Sequence, residues 1–231
     1  MTKLVGLIQA RMGSSRLPGK MMCNILGTPM IGHIITRLQS IYDLDGVVVA
    51  TTSDPRNEPM ISYVKTYGAS IYVSPYENDI AERLTGAAKM TKADAILKVN
   101  GDCPLIDPDI LNQMLQLFHE SKSIDYLSNK IKWTFPLGMS AEIISAKALI
   151  WCHENLIEEI DRELVANWIR DHPDIFNILS FEGNQNLSHH QWCVDTHEDL
   201  VEVENIYKHL YPADPLFGLK KILDYLASSR E

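Results

Sequence analysis

Three stretches, far apart in the chain, hold side chains able to do chemistry. The first, Gln9 to Lys20 (QARMGSSRLPGK), packs three cations, two glycines, two serines and a proline into twelve residues directly after the apolar run LVGLI. Gly13, Ser14, Ser15 and Gly19 can turn amide hydrogens inward while Arg11, Arg16 and Lys20 supply charge, a combination suited to cradling a di- or triphosphate. The loop is not a Walker P-loop. Gly13 and Gly19 are separated by five residues, Met21 stands where a Ser or Thr would hold magnesium, and Pro18 removes an amide. A solvated turn with incidental charges is the competing reading.

The second stretch is Val99 to Asp107 (VNGDCPLID) and the third is Trp192 to Leu200 (WCVDTHEDL). Asp102 follows an apolar run, beside a glycine and ahead of a proline, where a carboxylate can ligate Mg²⁺ together with phosphate oxygens. Asp195 also follows a short apolar run, and it supplies a second metal carboxylate if that run lies beside the one ending at Val99. Capping is the alternative for each aspartate. It is the favoured reading for Asp107, and Thr196 reads as a helix N-cap with Asp199 as its capping-box partner. Arg83 reads as a helix-surface arginine paired with Asp79. His189-His190 sits in a polar loop with no third ligand at a sensible spacing.

These residues need a scaffold that brings strand ends together. Leu4–Ile8, Gly46–Thr51, Ser70–Val73 and Ala95–Val99 are short, apolar and β-branched, and read as buried strands. Between them Met30–Ile41, Pro59–Tyr67 and Ile80–Met90 have helical spacing. The alternation predicts right-handed βαβ crossovers and a mainly parallel sheet. Later, helices are expected over Asp109–His119, Lys147–Leu156, Arg162–Arg170, Glu198–Leu210 and Pro215–Ser228. Strands are expected at Ile124–Leu127, Ala141–Ile144, Phe176–Phe181 and Gln191–Val194, and 129–140 reads as an excursion closing over a site. Ligands of open parallel sheets bind beyond the carboxyl ends of the strands, where the polar stretches cluster.

Composition narrows the ligand. The 231 residues are 45% hydrophobic and 22% charged, the profile of a globular protein, read here as one domain over 1–231. Residues 1–42 hold five cations and no acid, so in a chain of net charge −9 the rest carries −14. A small cationic site in an acidic protein suits a compact anion and argues against a nucleic-acid polymer. Cys23, Cys103, Cys152 and Cys193 form no CxxC pair and read as reduced thiols. No apolar run approaches the roughly 18 residues of a membrane span, and the expectation is a cytoplasmic protein with no membrane partner.

The strings IQARMGSSRLPGKMM, ILGTPMIGHIITRL, VVVATTSDPRNEPM, NGDCPLIDPDI and VDTHEDL, in this order over residues 4–210, resemble the SpsF-like branch of the cytidylyltransferases, named for spore-coat polysaccharide biosynthesis. They are similar more distantly to the CMP-KDO and CMP-sialate synthetases. The resemblance implies a Rossmann-like nucleotidyltransferase fold of GT-A type, a three-layer α/β sandwich, often a homodimer. It implies Mg²⁺-dependent transfer of CMP from CTP to a sugar, sugar acid or sugar phosphate, with release of pyrophosphate.

By position, Ala10, Arg11, Ser15, Arg16 and Lys20 fall in the loop that receives base and phosphates. Asn78 and Arg83 fall near the nucleotide, and Asp102 and Asp195 at the two metal carboxylates. Arg11, Lys20 and Asp102 are the expected catalytic residues. The branch commonly reads Gly-x-Asp-x-Glu after a Phe-Pro turn. Here the sequence is Phe135-Pro136-Leu137-Gly138-Met139-Ser140-Ala141-Glu142, which puts Ser140 and Glu142 at the acceptor side. A nucleotide- or sugar-binding partner protein and a glycosyltransferase using a preformed nucleotide sugar are the competing classes.

Overall fold

The computed structural model describes residues 2–228. Strand β1 (Leu4–Gln9) leads through a one-turn helix at Lys20–Met22 into a small hairpin, β2 (Asn24–Ile25) and β3 (Thr28–Pro29), and then α1 (Met30–Gln39). Next come β4 (Val47–Thr52), α2 (Glu58–Thr66), β5 (Ser70–Ser74), α3 (Ile80–Thr91) and β6 (Ala95–Asn100). The second half adds α4 (Pro108–Glu120), β7 (Tyr126–Ser128), β8 (Ala141–Ser145), α5 (Ala146–Asn155), α6 (Glu159–Glu163) and α7 (Val165–Arg170). It closes with β9 (Ile178–Ser180), α8 (His197–Leu210) and α9 (Leu219–Ser228).

Seven strands form one sheet in the order β5-β4-β1-β6-β8-β7-β9. β5, β4, β1 and β6 pair in parallel, β8 runs antiparallel to both β6 and β7, and β9 is parallel to β7. The alternation of side chains along each strand separates two cores. Leu4 and Ile8 of β1, Val47 and Val49 of β4, and Leu97 and Val99 of β6 face α1, α4 and α8. Val5 and Leu7, Val48 and Ala50, and Ile96 face α3 and α5. Burial on both faces explains why β1, β4 and β6 read as largely continuous apolar runs. The result is helix, sheet, helix, the three-layer architecture expected.

Lys98 and Glu142 break the apolar run on the second face. They are register partners across β6 and β8. Lys98 Nζ lies 2.6 Å from Glu142 Oε2, and the Tyr126 hydroxyl donates to Glu142 Oε1 at 2.7 Å. Burial alone would push the Glu142 carboxyl up, but the Lys98 and Lys130 ammonium groups outweigh it and hold it down at about 2.

Several expected elements differ in detail. Gln191–Val194 is not a strand: Gln191 makes one isolated bridge to Leu137, and Val194 N–H donates to Asp102 C=O at 2.8 Å. Its apolar side chains read as strand-like because Trp192 and Val194 are buried, yet they plug the core from a loop. Arg162–Arg170 is divided between α6 and α7 at Leu164, whose φ of −102° and ψ of 32° depart from helical values. The final helix starts at Leu219 rather than Pro215. Asp107, the N-cap of α4, also accepts the Leu219 N–H at 2.6 Å and so fixes that start. Asp79 pairs with Arg162 across the fold at 2.7 Å and not with Arg83.

Candidate active site

The polar strand ends converge on a cleft of about 360 Å³ at the carboxyl ends of β1 and β6. Its floor is the opening loop. Asn57 clips that loop from beneath: its Oδ1 accepts the Met12 N–H at 2.8 Å, and its Nδ2 donates to the Thr52 carbonyl and hydroxyl at 3.0 Å each. Gly19 closes the turn at φ 73°, a left-handed conformation that costs other residues about 1 kcal/mol or more. It starts the one-turn helix that holds Lys20. On the opposite wall a Cβ on Gly101 would stand 2.7 Å from Met21 Sδ and 2.8 Å from Ala10 Cβ. Only glycine lets the end of β6 approach the loop this closely.

Lys20 is 8% exposed and reaches across the cleft floor. Its Nζ lies 3.1 Å from Asp102 Oδ2, 3.0 Å from Asp195 Oδ1 and 3.0 Å from the Val194 carbonyl oxygen. Burial pulls the ammonium down, but the Asp102 and Asp195 carboxylates outweigh it and hold its pKa above the ordinary lysine value. Arg16 joins from the solvent side, 3.0 Å from Asp195 Oδ2. The two aspartates meet because Val194 is hydrogen-bonded to Asp102, so the expected neighbour relation holds without the expected strand. The Thr196–Asp199 capping box, present as read, fixes the start of α8 immediately after Asp195.

The far end of the cleft is differently built. Arg83 on α3 is 2% exposed and donates to the carbonyl oxygens of Glu77 and Tyr76 at 2.5 and 3.3 Å. Burial lowers its pKa, and its Nε has no partner. Gln9 also lines the cleft, and its Oε1 is buried without a partner. Gln9 and Arg83 thus place an amide and a guanidinium along the same cleft. Arg11 pairs with Glu77 at 2.8 Å, and Glu77 accepts from Thr52 at 2.6 Å. Asn78 is exposed at the rim.

Ala10, Arg11, Ser15, Arg16, Lys20, Asn78, Arg83, Asp102 and Asp195 thus line one cleft. Ser140 and Glu142 do not line it, and Glu142 is held by Lys98 and Tyr126. The 129–140 excursion stays outside the cleft too: Asn129 ties its two ends together through Met139 and Ala141. Arg37, one of the five cations that made residues 1–42 look like a binding region, is 1% exposed and bonded to Tyr207, Ile106 and Phe217 in the core. Gln9, Glu77 and Glu163, which also line the cleft, and the Asn57 clip beneath it were not singled out from sequence. The signal for Gln9 was available, since it is the polar residue that ends the apolar β1.

The family model described as cytidylyltransferase matches residues 5–222. The spore coat polysaccharide biosynthesis protein SpsF of Bacillus subtilis is 27% identical over 216 residues, 90% of this chain and 88% of that protein. A cytidylyltransferase structure from Leptospira borgpetersenii serovar Hardjo-bovis superposes with a TM-score of 0.93 at 28% identity, covering 100% of this chain and 96% of that one. A CMP:2-keto-3-deoxy-manno-octonic acid synthetase solved with CTP shares the fold, with a TM-score of 0.70 at 21% identity over 90% of this chain and 99% of that one. The chain belongs to the cytidylyltransferase family.

Proposed function

We propose, with membership of the cytidylyltransferase family as the premise, that the cleft binds CTP and transfers CMP to a sugar, sugar acid or sugar phosphate with release of pyrophosphate, in surface polysaccharide or glycoconjugate synthesis. The observation that carries this reading is the meeting of Asp102 and Asp195, from distant segments, on the ammonium of one loop lysine.

The donor set fits Mg²⁺. Two carboxylates are the hard oxygen ligands that ion takes alongside substrate phosphates, and a cation, the Lys20 ammonium, already bridges them here. Asp102 and Asp195 would hold the ion, which would screen phosphate charge when bound. The remaining work falls to the chain's own groups. Lys20 and Arg16 sit where negative charge grows on a departing pyrophosphate, and a preorganised cation there lowers the barrier without reorganising. Arg11, anchored by Glu77, adds charge at the loop's entrance. Gln9 and Arg83 line the cleft with an amide and a guanidinium, side-chain types that can pair with the amino and carbonyl edge of a cytosine.

Glu142 acts on this site indirectly. It fixes Lys98, two residues before Asn100 on β6, and so positions the strand end that leads to Asp102. A thermal-shift series of CTP, UTP, ATP and GTP with Mg²⁺ tests the base reading. CTP at a hundred times its Kd should add about 2.7 kcal/mol, roughly 5–10 °C in a chain of this size, and the other three much less. Equal shifts from all four would refute cytosine selection.

A further inference from the structure

The loop after β6 and the loop before α8 bring a second set of ligand atoms together beside the two aspartates. Cys103 Sγ lies 3.9 Å from Cys193 Sγ and 3.4 Å from Asp102 Oδ1. All three ligand atoms fall within 4.8 Å of one another. A tetrahedral zinc ion with metal–sulfur bonds of about 2.3 Å and metal–oxygen bonds of about 2.0 Å needs sulfur–sulfur and sulfur–oxygen edges of roughly 3.8 and 3.5 Å. The sulfur–sulfur edge and the Cys103–Asp102 edge already stand close to those values, and the Cys193–Asp102 edge lies within 4.8 Å.

We propose that Cys103, Cys193 and Asp102 form a binding site for a thiophilic divalent cation of the zinc class, next to the all-oxygen position between Asp102 and Asp195. The backbone holds the site in place, because Val194 N–H donates to Asp102 C=O at 2.8 Å and so staples the two loops. Both cysteines are buried, at 2% and 8% exposure, while Asp102 faces the cleft and gives the ion its way in. The charges also balance. Two thiolates and one carboxylate carry three negative charges, against two from the ion and one from Lys20, whose Nζ is 3.1 Å from the free Asp102 oxygen. Both thiol protons leave to solvent when the ion binds, and the fourth ligand position is left to water.

Soft thiolates select such an ion over Mg²⁺, so the two cations compete for Asp102. This consequence rests on the transferase reading, in which Asp102 serves the nucleotide; the site itself does not. A cleft occupied in this way has lost one of its two carboxylates to the wrong metal, and turnover stops.

The test uses the full chain under a phosphine reductant and without Mg²⁺, titrated with Co²⁺. A thiolate-to-cobalt charge-transfer band should appear and saturate at about one ion per chain, with about two protons released per ion. Zn²⁺ should abolish it, and Cys193→Ser should lack it. Cys103→Ser should lack it too, which covers a Cys193 variant that fails to fold. No band in the wild type, or a band that survives in both variants, overturns the site. In pyrophosphate-release assays with Mg²⁺, Zn²⁺ should slow the wild type roughly a hundredfold or more, while Cys193→Ser keeps its own rate; equal inhibition of both overturns the competition. A protein that shows the band yet releases no pyrophosphate with any triphosphate keeps the cation site and refutes the transferase reading instead.

Discussion

Lys20 and Asp102 stand 3.1 Å apart across 82 residues of chain, joining the signature loop to the end of β6. The same ammonium reaches Asp195, 175 residues away, at 3.0 Å. Three segments that are remote in sequence therefore share one charge.

Removing that charge should separate binding from folding. Lys20→Ala leaves two carboxylates facing each other with only the exposed Arg16 to balance them. We expect pyrophosphate release to fall by about 10²–10³ while far-UV circular dichroism stays unchanged. Turnover within a factor of a few of wild type would remove Lys20 from the chemistry.

Gly101→Ala tests the closeness of the two cleft walls. The added methyl would meet Met21 Sδ at 2.7 Å and Ala10 Cβ at 2.8 Å, and backbone must move to admit it. Overpacking of this kind costs about 1–3 kcal/mol, which urea denaturation measures. Because the displaced wall holds Asp102, activity should fall further than the stability loss explains. A variant as stable and as active as wild type would show the walls to be slack.

Asn57→Ala should loosen the loop without touching the nucleotide. Its side chain satisfies the Met12 N–H and the Thr52 carbonyl, and leaving such buried groups unpaired costs about 1–3 kcal/mol. The kinetic signature is a KM for CTP that rises more than kcat falls. The reverse split would mean that Asn57 positions reacting groups directly.

The Lys98–Glu142 pair sets an acid limit on stability. The Glu142 carboxyl is held at about 2 in the folded protein against an ordinary 4.5, so its contribution is complete above 4.5 and is lost as pH falls from there toward 2. Glu142→Ala strands a buried ammonium and should cost roughly 3–5 kcal/mol at neutral pH. Replacing both partners, Lys98→Met with Glu142→Leu, should recover much of that loss. Denaturation midpoints across pH 2 to 5 decide it: the double variant should show a flatter profile than wild type, and parallel profiles would place the acid sensitivity elsewhere.

The parallel half of the sheet was legible because its inner strands are buried on both faces and spelled in apolar, β-branched residues, as in Val47–Thr52. Asp102 was legible because it follows such a run. Asp195 comes beside Asp102 as expected, but not from a strand end: the residues before it are a loop whose Trp192 and Val194 fill the core. What sequence could not show was pairing at a distance. Arg37 looks like a site cation until Phe217 and Tyr207 close over it. Glu142 looks available to a substrate until Lys98 is set opposite it on the neighbouring strand. The approach of Cys103 to Cys193 is equally silent in sequence, since neither residue belongs to a spaced motif.

The central claim is that Asp102 and Asp195 act together on a nucleoside triphosphate. Pyrophosphate release from CTP and Mg²⁺ with a panel of acidic sugars and sugar phosphates, compared among wild type, Asp102→Asn and Asp195→Asn, tests it most directly. Release with CTP and at least one acceptor is expected, reduced about 10²-fold or more in each variant. Release by both variants at near wild-type rates would contradict it.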